Sequence, residues 1–332
     1  MKPHVTVLTA VRNGARYIGA TIESIQKQSF TDWEYVIVDD ASTDDTLGVV
    51  DSYCRKDSRL RVYKRSISAG PYAAANDGLR IALGKYVVRT DADDLSTPDR
   101  IEKQLAFLSS HPGYRACVSY WHGMNDAGLI PGTRTSIPSN SRVFRWALLL
   151  RSPSIHSAVC YERSMMEDIG GYRELPLSQD YRLWCELTRR DWLGTIPEIL
   201  CYVRYSTRRQ SSTNFNIQRS LALDVLADHL YAVSGETWSR EDLLALQSVG
   251  YSERMPADKG IEMLDRWDRL WQNAPDLTPE DHAELNSLST LRRWKHLRAN
   301  ARTEPFAFLF GLARLAATKP QFLVPAVRGA GS

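Results

Sequence analysis

Short apolar runs alternate with segments of helical periodicity through the first part of the chain. The runs are residues 5–11, 33–38, 60–64 and 86–88, of which 60–64 is a short strand pattern that includes Arg61 and Lys64. Continuous apolar runs of this length are typical of strands buried on both faces. Between the first two runs, Ile18, Ile22 and Ile25 recur at helical spacing. Repeated strand, helix and strand with short links predicts an α/β fold, with a mostly parallel, Rossmann-like mixed sheet flanked by helices.

The middle of the chain is less regular. Its pattern predicts helices at 101–110, 142–150 and 179–190, and strands at 116–120, 155–161 and 195–203. Residues 121–139 are rich in glycine and proline, which predicts a long loop of the kind that often contacts substrate. From about residue 213 only helical patterns follow, at 217–233, 240–248, 259–271 and 279–301. We therefore predict a catalytic domain over 1–212 and a helical C-terminal region over 213–332.

A cluster of acids follows the fourth apolar run, in the stretch KYVVRTDADDLSTPDR. Asp91, Asp93 and Asp94 fall within four residues, and carboxylates this close repel one another unless a cation or ordered donors compensate them. Mg²⁺ binds one or two carboxylates together with phosphate oxygens. Thr97 and Pro98 then fit the N-cap and first position of a helix. The alternative is an acidic loop whose carboxylates only cap the backbone.

Composition narrows the class of protein. The 332 residues carry a net charge of +3, which argues against nucleic acid as the main partner. The five cysteines form no CxxC pair and no zinc spacing, as expected of reduced thiols in a cytoplasmic protein. No apolar run approaches the roughly 18 residues that a membrane span needs. The first residues lead directly into a strand pattern, so we expect no signal peptide.

Several motifs occur together in a fixed order. They are VDDAST, AAANDGLRIALGKY, TDADDLSTPDR, IHSAVCYERS, GGY, SQDYRLW and IPEILCYVRY. In order and spacing, the segment from Val5 to Ser212 resembles the inverting family-2 glycosyltransferases with the GT-A fold. The resemblance implies transfer of a sugar from a nucleotide-diphosphate sugar, with a UDP-sugar as the first candidate. The acceptor would be a hydroxyl of a glycan or of a lipid-linked sugar, in the synthesis of cell-surface polysaccharide.

The resemblance also implies roles for the acids. Asp93 matches the metal-ligand aspartate, which would bind Mn²⁺ or Mg²⁺, and Asp91 matches the acid that faces the ribose or the metal. Asp94 is expected to support these two. Asp40 matches the residue that accepts the N–H of the base, although Asp39 could do this instead or cap the following helix.

Further positions are implied on the nucleotide side. Thr9, Ala10 and Arg12 are expected beside the nucleotide. Arg12 stands where the family often has an aromatic that stacks on the base, and a guanidinium can stack as well. Ala75 stands where arginine is frequent, so one phosphate contact is expected to be missing, and Gln179 replaces a common glutamate. These departures bear on the donor more than on the reaction.

Asp180 matches the catalytic base, which takes the proton of the acceptor hydroxyl as that hydroxyl attacks. An acid in the first turn of a helix is also favoured by the helix dipole, and that is the structural alternative. Arg204, with Arg208 or Arg209, could bind the diphosphate or could form a solvated basic run. His156 could contact donor or acceptor, or be a hydrogen-bonded structural histidine.

Two other classes of function remain open at this point. A binding or scaffold protein could keep the fold without turnover, and would hold nucleotide sugar without releasing UDP. A nucleotidyltransferase on a similar sheet would release pyrophosphate, but it would need a basic glycine-rich phosphate loop, and TAVRNGARY is a poor one.

The C-terminal tail is basic and aromatic. From Arg292 onward eight lysines and arginines stand against one acid, Glu304. The basic residues are at 292, 293, 295, 298, 302, 314, 319 and 328, and the apolar residues among and after them include Phe306, Phe308, Phe310, Leu312, Leu315 and Phe322. This composition predicts peripheral attachment to the inner face of the cell membrane. The alternative is packing on the catalytic domain or on a second subunit, and an oligomer is left open.

Overall fold

The computed structural model describes residues 2–133, 135, 137–173, 179–205, 215–301, 303–304, 308–309 and 311–313. The chain forms two compact units. The sheet unit comprises Met1–Ser141 and Ser154–Ala222, and the helical unit comprises Arg142–Pro153 and Leu223–Ser332. The predicted boundary between residues 212 and 213 lies outside the described residues.

The sheet unit is built on one nine-stranded mixed sheet. The strands are β1 Val5–Val11, β2 Trp33–Asp39, β3 Leu60–Lys64, β4 Tyr86–Arg89, β5 Leu95–Ser96, β6 Ala116–Asn125, β7 Gly128–Leu129, β8 Val159–Glu162 and β9 Leu193–Arg204. Their order is β3-β2-β1-β4-β8-β6-β9-β5, and β7 pairs with β6. β1 to β4 are mutually parallel, and so are β6 and β9, whereas β8 runs antiparallel to both its neighbours. The predicted mixed, largely parallel sheet is confirmed.

Helices cover this sheet because each presents an apolar stripe to it. The helices of the sheet unit are α1 Ile18–Gln26, α2 Thr46–Cys54, α3 Pro71–Ile81, α4 Arg100–Ser110, α6 Arg163–Asp168 and α7 Gln179–Arg189. In α1 the predicted stripe of Ile18, Ile22 and Ile25 is fully buried. All seven residues of β2 are buried, as its apolar run requires. The carboxyl ends of β1, β2 and β4 therefore lie side by side, where open α/β sheets bind ligands.

Three local predictions are wrong, and tertiary pairing is the reason in each case. The long loop predicted from residue 121 begins later, because β6 continues to Asn125 along β9. α4 begins at Arg100 rather than at Pro98, since β5 pairs with β9 and the Thr97 N–H donates to Leu200 O. The strand predicted from residue 155 begins at Val159, after a short 3₁₀ turn.

The helical unit is held by large apolar side chains and by buried ion pairs. Its helices are α5 Ser141–Leu148, α8 Phe215–Ser234, α9 Arg240–Gly250, α10 Ala257–Gln272 and α11 Pro279–Asn300, of which α5 and α8 begin in the sheet unit. Trp267 and Trp271 are fully buried. Thr278 and Asp281 form a reciprocal cap that fixes the start of α11. No helix among the described residues is both long and apolar enough to cross a membrane.

The structure shows that two of the eight basic residues counted in the tail are buried. Arg292 and Arg293 are buried within the helical unit, so neither belongs to a solvated basic face. Phe308 is half-buried, with its ring centroid 6.5 Å from that of Trp294. Of the other tail residues named above, 302, 306, 310, 314, 315, 319, 322 and 328 lie outside the described part of the chain. Attachment to a membrane therefore stays a prediction.

Candidate active site

The acid motif follows β4 directly and divides into a buried and an accessible part. Asp94 is fully buried, and its Oδ1 accepts the backbone N–H of Arg204 at 2.8 Å. This bond ties the motif to the end of β9. Asp93 is half-buried, and 39% of the Asp91 side chain is exposed. The geometry is that of a supporting Asp94 beneath two carboxylates that solvent can reach.

A buried cation that the sequence did not reveal lies beside these acids. Arg89, the last residue of β4, is 3% exposed, and its Nη1 donates to Leu8 O at 3.0 Å. Its Nη2 is 3.9 Å from Asp91 Oδ1, within ion-pair distance. Arg89 directly follows the apolar run 86–88 and reads as the last residue of a strand, so only the fold shows that its charge faces the acid motif.

Asp40 is buried at the end of β2 and is heavily hydrogen-bonded. Its carboxylate accepts the Ser68 hydroxyl at 2.7 Å and the N–H groups of Ala69 and Gly70 at 3.1 and 3.0 Å. Arg65 Nε lies 3.1 Å from its Oδ1. Gly70 has a φ of 89°, a conformation that glycine adopts without strain. Asp40 therefore organises the 65–70 loop in this structure.

The Asp39 carboxylate accepts fewer hydrogen bonds than that of Asp40. It is fully buried, and its Oδ2 accepts the Ser42 N–H at 3.1 Å. Its Oδ1 has no hydrogen-bond partner within the described part of the chain. A buried, unpaired acceptor is costly, which makes it suited to a donor such as a base N–H. Of the two acids whose roles the sequence left open, Asp39 is the one with an unused acceptor within the described structure.

The other nucleotide-side positions fall at the end of β1. The Arg12 Nη1 donates to the Ser68 hydroxyl at 3.0 Å, so Arg12 is linked through Ser68 to Asp40. Ala10 is half-buried. The Thr9 hydroxyl is fully buried, 2.9 Å from the Tyr35 hydroxyl, and donates to Thr90 O at 2.8 Å. The Thr9 side chain thus supports the strand from within the core.

His156 connects the acid motif to α7. The Asp91 N–H donates to the hydroxyl of Ser157 at 2.9 Å, and Ser157 follows His156 in the 3₁₀ turn. The His156 ring packs edge-on against Tyr172 and Trp184, with centroids 5.3 and 6.2 Å apart. His156 is 8% exposed, and its Nε2 finds no partner among the residues described.

Asp180 lies in the first turn of α7, on the side of the helix that carries Trp184 one turn later. Its Oδ1 accepts the N–H of Tyr181 at 2.8 Å, and the side chain is half-buried. Burial raises the pKa of Tyr172; the charge of Arg89 opposes this increase, and the charges of Asp91 and Asp180 add to it. Tyr172 therefore lies within electrostatic reach of both carboxylates.

Arg204 is held by contacts at the end of β9. Its Nε donates to Asp93 O at 3.1 Å and its Nη1 to Asp126 Oδ1 at 2.7 Å. Its guanidinium also stacks over the Tyr17 ring, 4.3 Å from the centroid. These contacts hold Arg204 against the acid motif. Only 8% of Arg204 is exposed. Arg208 and Arg209, the other candidates for the diphosphate, lie outside the described residues.

Asn76, which the sequence analysis did not identify as a site residue, holds the GGY turn. Asn76, on α3, donates from Nδ2 to Tyr172 O at 2.8 Å, and its Oδ1 accepts the Tyr172 N–H at 2.9 Å. This pair of bonds holds Tyr172 where it meets His156. The motif AAANDGLRIALGKY contained the asparagine, but nothing in the sequence linked it to a turn 96 residues away.

The neutral His156 predicts a loss of stability in acid. Burial, aided by the charge of Arg89 and opposed by that of Asp91, lowers the pKa of His156 from 6.5 to about 3. The unfolded chain therefore binds this proton first. The neutral His156 therefore contributes to the free energy of unfolding. This contribution is complete above pH 6.5 and falls as the pH drops toward 3, by up to about 1.4 kcal/mol per pH unit.

Urea unfolding between about pH 7 and about pH 5 measures this slope. We expect His156→Gln to reduce the slope of the unfolding free energy against pH by an amount that corresponds to about one proton. The control His111→Gln, at an exposed position, should leave this slope unchanged. An unaltered slope in His156→Gln would show that this imidazole is already charged in the native state.

Asp91 and Asp93 suit a hard divalent cation. Both offer carboxylate oxygens at an accessible edge, with Arg89 Nη2 within ion-pair distance of Asp91 Oδ1. Among the described residues there is no cluster of three or more acidic, histidine or cysteine ligands. A cation here would therefore need further oxygens from a bound diphosphate, which is the common arrangement for Mg²⁺.

The fold and the comparison with known proteins identify the class of this protein as a glycosyltransferase. Residues 6–170 match the family described as glycosyl transferase family 2. The putative glycosyltransferase EpsE of Bacillus subtilis is 31% identical over 212 residues, which cover 61% of this chain and 73% of that protein. The chain belongs to glycosyl transferase family 2.

Two further similarities are informative. The putative teichuronic acid biosynthesis glycosyltransferase TuaG of Bacillus subtilis is 40% identical over 122 residues, or 37% of this chain and 47% of that protein. The crystal structure of S. aureus TarS 1–349 in complex with UDP-GlcNAc aligns with a TM-score of 0.57 at 19% identity, covering 97% of this chain and 92% of that one. The likeness to TarS confirms the predicted GT-A fold.

Proposed function

We propose that this protein is an inverting glycosyltransferase that moves a sugar from a UDP-sugar to a hydroxyl of a growing cell-surface glycan. The observation that carries the proposal is the position of Asp180. It lies in the first turn of α7 and shares Tyr172 with Asp91 of the acid motif. A transferase needs a proton acceptor on one side of the sugar and, on the other, a cation that binds the diphosphate; Asp180 would be the proton acceptor, and Asp91 would help to hold the cation.

The donor side is assigned to the carboxyl ends of β1, β2 and β4. The unpaired Asp39 Oδ1 is suited to the base N–H, with Arg12 over the base and Asp40 shaping the loop beneath it. Asp91 and Asp93 would hold Mn²⁺ or Mg²⁺ with the diphosphate, and the ion would neutralise charge on the leaving group. A UDP-sugar is supported by the bound UDP-GlcNAc in TarS, which shares this fold.

The reaction is a single displacement. The acceptor oxygen forms its bond to the anomeric carbon on the face opposite the diphosphate, the bond to the diphosphate oxygen breaks, and the configuration inverts. As the bond forms, the hydroxyl proton passes to the Asp180 carboxylate. The neutral His156, next to Asp91, can hydrogen-bond sugar or acceptor without adding charge.

The acceptor class is proposed from the relatives. TuaG is named for teichuronic acid biosynthesis, and shares 40% identity with part of this chain. A polysaccharide or a lipid-linked precursor fits this comparison. Peripheral attachment of the tail to a membrane would bring the enzyme to such an acceptor.

Turnover of nucleotide sugars tests the proposal. We expect the full chain, with Mn²⁺ or Mg²⁺, to release UDP from one UDP-sugar of a panel, and faster when acceptor is added. NMR of the product would show the inverted anomeric configuration. Release of pyrophosphate would indicate a nucleotidyltransferase instead. Binding of nucleotide sugar without UDP release, with acceptor present, would indicate a scaffold protein.

A further inference from the structure

A cluster of three basic residues lies in the helical unit, at the carboxyl end of α9. Arg292 of α11 donates from Nη1 to Gly250 O, the last residue of α9, at 2.7 Å. Leu150, which precedes Arg151, also packs against Gly250. A Cβ atom added at Gly250 would lie only 1.9 Å from Leu150 O. Lys295 is one helical turn beyond Arg292 on α11. We call Arg151, Arg292 and Lys295 the basic cluster.

The charges of the basic cluster act on one another. Burial, aided by the charge of Arg151, lowers the pKa of Arg292 to about 10. The pKa of Lys295 is lowered by burial and by the charges of Arg292 and Arg151. Like charges within this range destabilise one another.

The neighbouring arginine shows what a balanced site in this unit looks like. Arg293 Nη1 is 2.8 Å from Asp265 Oδ1, and its Nη2 is 2.7 Å from Asp268 Oδ2. Arg292, by contrast, is 4% exposed, yet none of the described carboxylates pairs with it. Its Nε is buried and has no acceptor in the described part of the chain. A buried guanidinium is costly without a counter-charge.

We propose that the basic cluster binds a phosphate group, as a monoester or a diester, at a site in the helical unit that is additional to the donor site. Arg151 and the solvent-exposed Lys295 provide access, and the phosphate supplies the negative charge that Arg292 lacks. Guanidinium groups pair with two phosphate oxygens at once, and an ammonium adds a point charge. Phosphate groups occur both in soluble glycan polymers and in lipid headgroups.

Lys295→Glu tests this site by placing a carboxylate where the anion would lie. In wild type, inorganic phosphate is expected to raise the unfolding temperature above its value in chloride of equal ionic strength, since a ligand of the native state stabilises it. Lys295→Glu should unfold at a higher temperature than wild type in chloride, and should bind phosphate about tenfold more weakly or not at all. Arg269→Glu makes the same charge change at an exposed site of α10, and should keep the phosphate response.

Calorimetric titration separates this site from the donor site. UDP binding should be the same in Lys295→Glu and in wild type, while phosphate binding to the basic cluster is lost. Glycerophosphoglycerol as a soluble diester, and vesicles of phosphatidylglycerol against phosphatidylcholine, then distinguish a polymer phosphate from a lipid headgroup. An equal phosphate response in wild type and Lys295→Glu overturns the proposal, and so does the absence of any response in wild type.

Discussion

Asp180→Asn is expected to fold, to bind the nucleotide sugar and to lose transfer. Removal of a general base costs roughly 10²- to 10⁴-fold in rate. The fold should tolerate the change, because the asparagine side-chain oxygen can still accept the Tyr181 N–H that Asp180 Oδ1 now accepts. The lost charge in the first turn of α7 costs only about 0.3–1 kcal/mol of stability. The effect on rate is therefore far larger than the effect on stability, and the two are measured separately by initial rates and urea unfolding.

Glu186→Gln is the matched control for this experiment. Glu186 lies on the same helix, pairs with Arg190 and is half-buried, so the substitution removes a carboxylate from α7 away from its first turn. We expect this variant to keep its transfer rate. Near-normal transfer by Asp180→Asn to the true acceptor would assign Asp180 a structural role and would remove the main support of the proposed mechanism.

Asp93→Asn is expected to weaken binding of UDP in Mn²⁺ far more than in EDTA. Loss of a group that only orients a metal ligand lowers metal affinity by about 10- to 100-fold, and loss of a ligand should cost at least as much. Isothermal titration with UDP measures this without any turnover. In EDTA the two proteins should bind UDP almost equally, because only the cation-linked part of the affinity depends on Asp93.

The neighbouring Asp94→Asn serves as the control. Asp94 accepts the Arg204 N–H through Oδ1, and asparagine retains that acceptor oxygen. Asp94→Asn should therefore keep the difference between Mn²⁺ and EDTA. If wild-type protein binds UDP equally with and without the cation, Asp93 is not a metal ligand and the site works with its own residues alone.

Much of the sheet unit follows from local pattern. β1, β2 and β4 were predictable because each is a short, largely apolar run, and β3 because it follows the second helix at the spacing of a further strand; their parallel pairing follows from the helices between them. The acid motif was predictable for the same reason, since a buried strand must deliver its following residues to one edge of the sheet. The order of the motifs then predicted the family that comparison confirmed.

The site itself depended on contacts between distant parts of the chain. Arg89 reads as the last residue of a strand until the sheet brings its charge to Asp91. Asn76 and Tyr172 are 96 residues apart, and no local pattern links them. Of the two acids at the end of β2, only packing shows that Asp40 is fully hydrogen-bonded while Asp39 keeps one acceptor unused within the described structure.

Across the rest of the chain, too, some features follow from local sequence and others from long-range contacts. The sequence by itself determined the first four strands, most of the helices and the acids, because hydrophobic periodicity and turn chemistry act over a few residues. Only the tertiary structure decided that β6 continues along β9, that Thr97 pairs with β9 instead of capping a helix, and that Arg292 and Arg293 are buried. These features depend on backbone pairing and charge burial between segments far apart in sequence, and the energy of such contacts is absent from any local window.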